Sequence, residues 1–156
     1  GLTGEVRIRH SNAMAIFATE DFEICTRLVQ GEYYKYQNMF KELPLHTVIS
    51  RKELLDAMVR AKMCTAEKCP VKFEIAGSQL GLSIKDQTTD YHETVDLQED
   101  ISEELTIGFD ARLVIETLKA FDCDNVGISL QSPKMPMIIE AEDSDFKTIV
   151  LPVAIK

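Results

Sequence analysis

The chain has 156 residues, of which 45% are hydrophobic and 28% are charged, and its formal net charge is −9. This length fits one domain, or one domain with part of another, and the hydrophobic content excludes a chain that is disordered throughout. The negative charge argues against a basic nucleic-acid-binding surface over the whole protein, although an acidic protein can be locally basic where it meets nucleic acid.

The first 29 residues predict three short antiparallel strands. Polar and apolar residues alternate at 5–9, and further strand-forming runs follow at 14–18 and 22–29, with turn signals between them. Three strands alone bury little and leave an edge unpaired, so we expect them to be the tail of another domain or to pair with a partner. Residues 31–44 hold three of the four tyrosines and are interpreted as a connector with one helical turn.

A pattern in the rest of the chain occurs twice. Residues 46–61 (HTVISRKELLDAMVRA) match residues 105–120 (LTIGFDARLVIETLKA) when one copy is shifted by 59 positions. Each copy predicts a short strand followed by a helix. The first helix begins after Ser50, whose S-x-x-E capping box extends to Glu53, and the second begins after Asp110 and extends to Phe121. The repeat indicates a duplicated domain.

Three further strands are predicted after each helix. Those after the first lie at 69–76, 79–85 and 91–97, with a turn at Gly77-Ser78 and an acidic loop at 98–104. Those after the second lie at 125–131, 136–142 and 146–153. The order β-α-β-β-β, repeated, predicts an α+β fold with an antiparallel sheet and both helices on one face.

The duplicated unit and several segments around it together resemble the bacterial sliding clamp, the beta subunit of DNA polymerase III and a processivity factor. These segments are LVQGEYYKYQNMF at 28–40, RKELLDAMVRA at 51–61, IGFDARLVIETLKAF at 107–121 and TIVLPV at 148–153. No single motif is specific, but their order and spacing are. The resemblance implies a DNA-clamp fold in which 45–156 are the third, C-terminal domain and 1–44 are the last strands of the second domain plus the interdomain connector.

The same resemblance implies a homodimeric, head-to-tail ring around duplex DNA, with helices lining the hole. It also implies a groove between the second and third domains that binds short linear peptides of the polymerase and of clamp-loader subunits. A chain without the first domain and most of the second would not close such a ring alone.

The two helices are the expected DNA-facing elements. Placing Leu54, Leu55, Met58 and Val59 inward puts Glu53, Asp56 and Arg60 outward on the first helix, with Lys52 at the margin, and the second then presents Arg112, Ile115, Glu116 and Lys119. Residues 51–63 and 110–121 hold six basic and four acidic residues, a balance of +2, so the remaining 11 basic and 22 acidic residues carry −11. Such cations would contact phosphates without reading sequence, and the candidates are Lys52, Arg60, Arg112 and Lys119. The alternative is an ordinary solvated helix face.

The resemblance also assigns residues to two protein-binding surfaces. The peptide groove maps onto Tyr34, Asn38, Met39, Pro136, Met137, Val150, Leu151, Pro152 and Val153. Two positions depart from the family, since Tyr34 stands where proline is common and Ala154 where arginine is common. The edge that meets the other subunit maps onto Met63, Cys64, Glu93 and Asp96. The acidic stretch around the last two residues is otherwise interpreted as solvated.

Catalytic motifs are missing from the sequence. It contains three histidines and seven glycines, with no G-x-S-x-G, H-E-x-x-H or phosphate-binding glycine loop. We therefore expect a non-catalytic cytoplasmic protein with reduced thiols and without metal, cofactor or membrane contact. Two alternatives remain, namely a peptide-binding module of the same fold that does not encircle DNA, and a small hydrolase with a thiol or histidine site.

Overall fold

The computed structural model describes residues 4–64, 69–85 and 88–155. The chain forms two compact units, Gly1–Tyr36 and Gln37–Lys156. Within the described ranges no helix is long and apolar enough to cross a membrane.

The first unit is a three-stranded antiparallel sheet, as predicted. Its strands are β1 (Arg7–His10), β2 (Met14–Ala18) and β3 (Glu23–Arg27), in that order. Ile8, Phe17 and Ile24 are direct cross-strand neighbours and form an apolar row on one face. Their exposed fractions are 63%, 37% and 52%, so this sheet does not bury its own apolar face.

The second unit has six strands and two helices. A short 3₁₀ helix at Tyr36–Met39 begins at the last residue of the first unit, continues into the second, and accounts for the predicted helical turn. The elements in chain order are β4 (Leu45–Ser50), α1 (Arg51–Cys64), β5 (Val71–Lys85), β6 (Asp90–Phe109), α2 (Ala111–Lys119), β7 (Asn125–Leu130), β8 (Met137–Ala141) and β9 (Lys147–Val150). The antiparallel sheet has the order β5-β6-β4-β7-β8-β9, and the predicted α+β fold with an antiparallel sheet is confirmed.

Strand β5 changes direction at Gly77. This glycine has φ +56°, a backbone conformation that other residues adopt at a cost, and the pairing with β6 shifts register on both sides of it. The Ser83 hydroxyl lies 3.0 Å from the Glu74 carboxylate, although nine residues of straight strand would separate them by about 30 Å. The two arms of β5 therefore lie side by side, which agrees with the predicted turn at Gly77-Ser78.

Strand β6 corrects the prediction of an acidic loop at 98–104. These residues are part of the strand, which runs without a break from Asp90 to Phe109. The Thr47 hydroxyl donates to the Glu99 carbonyl at 2.8 Å, and Ile101 is buried. The carboxylates of this stretch remain exposed, so the segment is a strand with a solvated acidic face.

Both helices begin at side-chain caps. The Ser50 hydroxyl accepts from the Glu53 amide at 3.3 Å, and the Asp110 carboxylate accepts from the Arg112 amide at 2.8 Å. Each cap satisfies a backbone N–H that has no partner inside the helix. The two caps are 60 positions apart, one more than the shift found from the letters. The structural repeat therefore has an offset of 60.

This offset corrects two predicted orientations. Ile115 was expected outward but is buried, and Val59 was expected inward but is 38% exposed. At the offset of 60 given by the caps, buried Leu54 is equivalent to buried Val114 and buried Met58 to buried Leu118, whereas at 59 no buried positions of the two helices coincide. The second helix also ends at Lys119, two residues before its predicted end.

The core lies between the helix pair and the sheet. The helices α1 and α2 pack against each other, α1 also packs on β4, β5, β6 and β7, and α2 packs on β9. Each buries residues spaced three and four apart, which are Leu54, Ala57, Met58 and Ala61 on α1 and Ala111, Val114, Ile115 and Leu118 on α2. The remaining helix faces are left open to solvent.

Candidate functional site

The exposed helix faces carry the four cations predicted to face DNA, and most of them have acidic neighbours. Lys52 pairs with Asp56 at 3.1 Å, one turn further along α1. Arg112 approaches its own helix cap, Asp110, at 4.0 Å, the limit of an ion pair. Lys119 is exposed, and across the described ranges it has no ion-pair partner. Surface pairs of this kind are weak and screened by salt, so Arg112 and Lys119 keep most of their charge available.

Arg60 differs from the other three because it is held by a fork of hydrogen bonds. Its Nε donates to Glu93 Oε2 at 3.0 Å, and its Nη2 donates to Glu93 Oε1 in a close contact. The Tyr91 hydroxyl also donates to Glu93 Oε2 and lies 3.3 Å from the Ala57 carbonyl. The fork ties the last turns of α1 to β6.

These contacts shift the pKa values of all three groups. The hydrogen bond from Arg60 lowers the pKa of Glu93, and the same bond raises the pKa of Arg60. Burial, followed by the bond to Glu93, raises the pKa of Tyr91. The carboxylate is therefore ionised and the phenol protonated at neutral pH, as the hydrogen bonds require.

The residues predicted for a subunit edge lie near one end of the sheet but do not share one face. Met63 and Cys64, at the end of α1, are exposed, Met63 by 81%. Glu93 points toward α1, whereas Asp96 points to the opposite face of β6 and accepts from the Gln79 amide at 3.2 Å. On its β4 side, the described pairing of β6 is limited to Leu97 and Ile49, so residues 90–96 form an edge strand. Such an edge has free backbone groups that can pair with another chain.

The groove residues of the second unit divide into a buried and an exposed set. Met137 and Val150 are cross-strand partners in β8 and β9 and are 0% and 2% exposed, so they support this surface from the core and do not line it. Leu151 and Val153, beyond the end of β9, are 58% and 40% exposed. Pro136 and Pro152 are half-buried. An apolar surface therefore remains at the C-terminal segment.

The connector residues predicted for the groove belong to different units. Tyr34 lies in the first unit and is 70% exposed, whereas Asn38 and Met39 end the 3₁₀ helix in the second. Asn38 and Met39 therefore belong to the unit that contains the six-stranded sheet. The segment that follows them, Phe40 to Leu43, lies over the sheet face opposite the helices and encloses a cavity of about 410 Å³ with residues of β4, β7, β8 and β9.

This cavity holds a small polar network. His46 Nδ1 lies 3.0 Å from the Ser129 hydroxyl and 3.9 Å from Glu140, and Glu140 pairs with Lys147 at 2.5 Å. Both contacts of His46 use the same ring nitrogen. A serine, histidine and carboxylate that act as a triad need both nitrogens, so this network does not have the geometry of a hydrolase site.

The thiols also lack the partners that a thiol hydrolase needs. The Cys123 thiol donates to the Asn125 carbonyl at 3.0 Å, and burial raises its pKa, which disfavours the nucleophilic thiolate. Cys25 and Cys69 contact Glu23 and the Pro70 carbonyl. Among residues 4–64, 69–85 and 88–155 there is neither a thiol–imidazole hydrogen bond nor a cluster of potential metal ligands.

Sequence reasoning missed Gly108 and Leu113. A Cβ atom at residue 108 would lie 2.7 Å from the Val153 carbonyl and 2.8 Å from Ile155 Cγ1, so only glycine allows this approach. The Val153 amide donates to the Gly108 carbonyl at 2.8 Å and so attaches the C-terminal segment to β6. No sequence pattern indicates this contact between Gly108 and Val153. The exposure of Leu113, by contrast, could have been predicted, because alignment of the two helix caps places it outward.

The chain is similar to bacterial beta sliding clamps along nearly its whole length. It is 27% identical over 155 residues to that of Streptococcus pneumoniae and 28% identical over 157 residues to that of Vibrio cholerae. Each alignment covers 95% of this chain but 41% of the relative, so the chain spans about two fifths of the length of the proteins it matches.

Solved structures give the same result. The beta chain of DNA polymerase III from Streptococcus pneumoniae superposes with a TM-score of 0.84 at 26% identity, covering 96% of this chain and 41% of that one. A sliding clamp from Bartonella birtlesii, solved with griselimycin bound, shares the fold with a TM-score of 0.88 at 20% identity, covering 97% of this chain and 42% of that one. Residues 41–154 match the family described as DNA polymerase III beta subunit, C-terminal domain. The chain therefore belongs to the DNA polymerase III beta subunit family.

Proposed function

We propose that this chain is the C-terminal part of a DNA sliding clamp, a non-catalytic processivity factor that encircles duplex DNA in the bacterial cytoplasm. The observation that carries the proposal is the pair of adjacent helices, of which α2 presents Arg112 and Lys119 on its open face, in a chain of net charge −9. A local cationic face on an acidic protein is suited to loose, sequence-independent contact with phosphates. The family membership supports the same function.

The proposed domain organisation follows from the family. Residues 45–156 would be the third clamp domain, and residues 1–44 the end of the second domain with its connector. The exposed row of Ile8, Phe17 and Ile24 supports the latter assignment, because an apolar sheet face is normally covered by the rest of its domain. A complete subunit would contribute one half of a homodimeric ring, with the edge of β6 near Met63, Cys64, Glu93 and Asp96 at the subunit contact.

The proposed peptide groove combines the exposed C-terminal segment with the connector. Leu151 and Val153 offer apolar side chains, Pro136 and Pro152 border them, and Met137 and Val150 support them from below. Tyr34, Asn38 and Met39 would complete the groove from the connector. Apolar grooves of this kind bind short linear motifs, here those of the polymerase and of clamp-loader subunits.

Retention on circular DNA tests encirclement. The complete subunit, loaded onto a nicked circular duplex, is expected to co-elute with the DNA in gel filtration and to be lost when the circle is cut once. A peptide-binding module that does not encircle DNA would be absent from both samples. Retention that survives linearisation would instead indicate ordinary binding and would contradict the proposal.

The helix face is tested by removing its two most available charges. With Arg112→Gln and Lys119→Gln together, the slope of log affinity for duplex DNA against log salt is expected to fall by about 1.8, because each lost phosphate contact contributes about 0.9. Lys41→Gln together with Lys134→Gln, which removes two exposed lysines outside the helices, is the charge-matched control. An unchanged slope in the helix variant would show that these helices do not face DNA.

A further inference from the structure

The fork between Arg60 and Glu93 is placed where it can control a phosphate contact. The Arg60 side chain is 54% exposed, so the pair reaches the surface of the helix face, while the Glu93 side chain is only 24% exposed. Two guanidinium donors and the Tyr91 hydroxyl occupy both carboxylate oxygens. Fork-shaped pairs of this kind are stronger and more fixed in geometry than single hydrogen bonds.

This pairing separates Arg60 from the other cations of the same face. Lys52 is held by a single bond to Asp56, with the two side chains 82% and 47% exposed, so that pair exchanges readily with solvent ions. Lys119 keeps its charge, because no ion pair to it occurs in the described parts of the chain. Arg60 is the one cation of the four whose charge is cancelled by a carboxylate from another element of the fold.

We propose that Glu93 acts as a built-in restraint on DNA contact, holding Arg60 neutralised so that the helix face grips phosphates less tightly than its count of cations suggests. This inference rests on the proposed DNA-facing role of the helices. Physically, a phosphate that took the Nε and Nη2 donors of Arg60 would break the fork and leave Glu93 without its cation, and a phosphate bound elsewhere on the guanidinium would still lie beside the negative charge of Glu93. The restraint would keep a ring mobile on DNA.

The test measures the diffusion coefficient of the complete ring along DNA. Retention on DNA would not report the strength of the contact, because a closed ring stays linked to the DNA however weak the contact is. Glu93→Gln is expected to release Arg60 and slow diffusion along DNA. We assume that each sliding step requires one added phosphate contact to break. The ratio of the diffusion coefficient of the unmodified ring to that of the Glu93→Gln ring should then be about 3.5-fold larger at 50 mM than at 200 mM salt. Glu103→Gln, an equal charge change on the exposed face of β6, should slide like the unmodified ring.

A second variant assigns the effect to the pair. Replacing both partners, Arg60→Gln with Glu93→Gln, removes one charge of each sign and should restore the original diffusion coefficient. If Glu93→Gln slides normally while Lys119→Gln slides faster, the helices face DNA but Glu93 restrains nothing. If neither variant changes sliding, the DNA-facing role itself is wrong and the restraint falls with it.

Because Glu93 lies at the proposed subunit edge, its variant could fail to close a ring, and the unmodified 156-residue chain provides an independent test. The Arg60 Nε–H proton is expected to exchange with solvent at least tenfold more slowly than that of Arg112, because only Arg60 donates from Nε to a carboxylate. Equal exchange rates in NMR would show that the fork does not persist in solution and would overturn the inference.

Discussion

Phe109→Ala is expected to lower the free energy of unfolding of the 37–156 unit by about 3–5 kcal/mol, the usual cost of deleting a fully buried aromatic ring. Phe109 and Phe73 are both 0% exposed, and their ring centroids lie 5.0 Å apart at an interplanar angle of 69°. Phe109 ends β6 directly before the cap of α2, so its ring joins the sheet to the helix layer. The cavity left by alanine would lie where the two layers meet.

Urea unfolding measures this effect, and Phe146→Ala is the matched control. Phe146 also contacts a second ring, that of Phe121 at 4.8 Å, but it is 44% exposed in the turn before β9. Its replacement should cost about 1 kcal/mol, the order expected for an aromatic pair at the surface. Equal costs for the two variants would mean that Phe109 is not at the centre of the core.

Gly108→Ala is expected to detach the C-terminal segment from β6. The new methyl group would overlap the Val153 carbonyl, a backbone atom that can give way only if the chain moves. Overpacking of this kind costs about 1–3 kcal/mol. Since Leu151 and Val153 form the exposed part of the proposed groove, peptide binding should weaken together with stability.

Amide hydrogen exchange of Val153 reports the detachment directly. Its N–H bond to the Gly108 carbonyl is 2.8 Å long and should protect it in the unmodified chain. Gly81→Ala provides the control, because a Cβ atom there would meet its nearest neighbour at 3.5 Å, an ordinary contact. The account fails if Val153 stays equally protected after Gly108→Ala.

The order of elements was predictable because local signals determine it. Alternating residues predicted the strands, and the caps Ser50 and Asp110 fixed the helix starts. The shift of 59 was wrong by one residue because matching letters such as Leu54 and Leu113 share chemistry and not burial, at 0% and 40% exposed. Alignment of the two caps gives the offset of 60, and packing agrees with it, since Leu54 and Val114 both face the core.

Contacts between distant residues could not be predicted from the sequence. Arg60 and Glu93 are 33 positions apart, and each alone reads as a solvated charge. The acidic stretch at 98–104 was interpreted as a loop because of its charge, yet Ile101 and Leu105 are buried and keep it in the strand. In the sequence, Met137, Val150, Leu151 and Val153 are all apolar and cannot be told apart. Only the sheet register shows that Met137 and Val150 are buried and that Leu151 and Val153 are exposed.

Site-directed crosslinking to DNA tests the central claim most directly. In the complete subunit loaded on a circular duplex, a photoreactive probe attached through Lys119→Cys on α2 is expected to crosslink to DNA. The same probe attached through Lys147→Cys, on the sheet face opposite the helices, should not. Crosslinking from position 147 without crosslinking from position 119 would show that the helix pair does not face the duplex and would contradict the assignment of this chain as a sliding clamp.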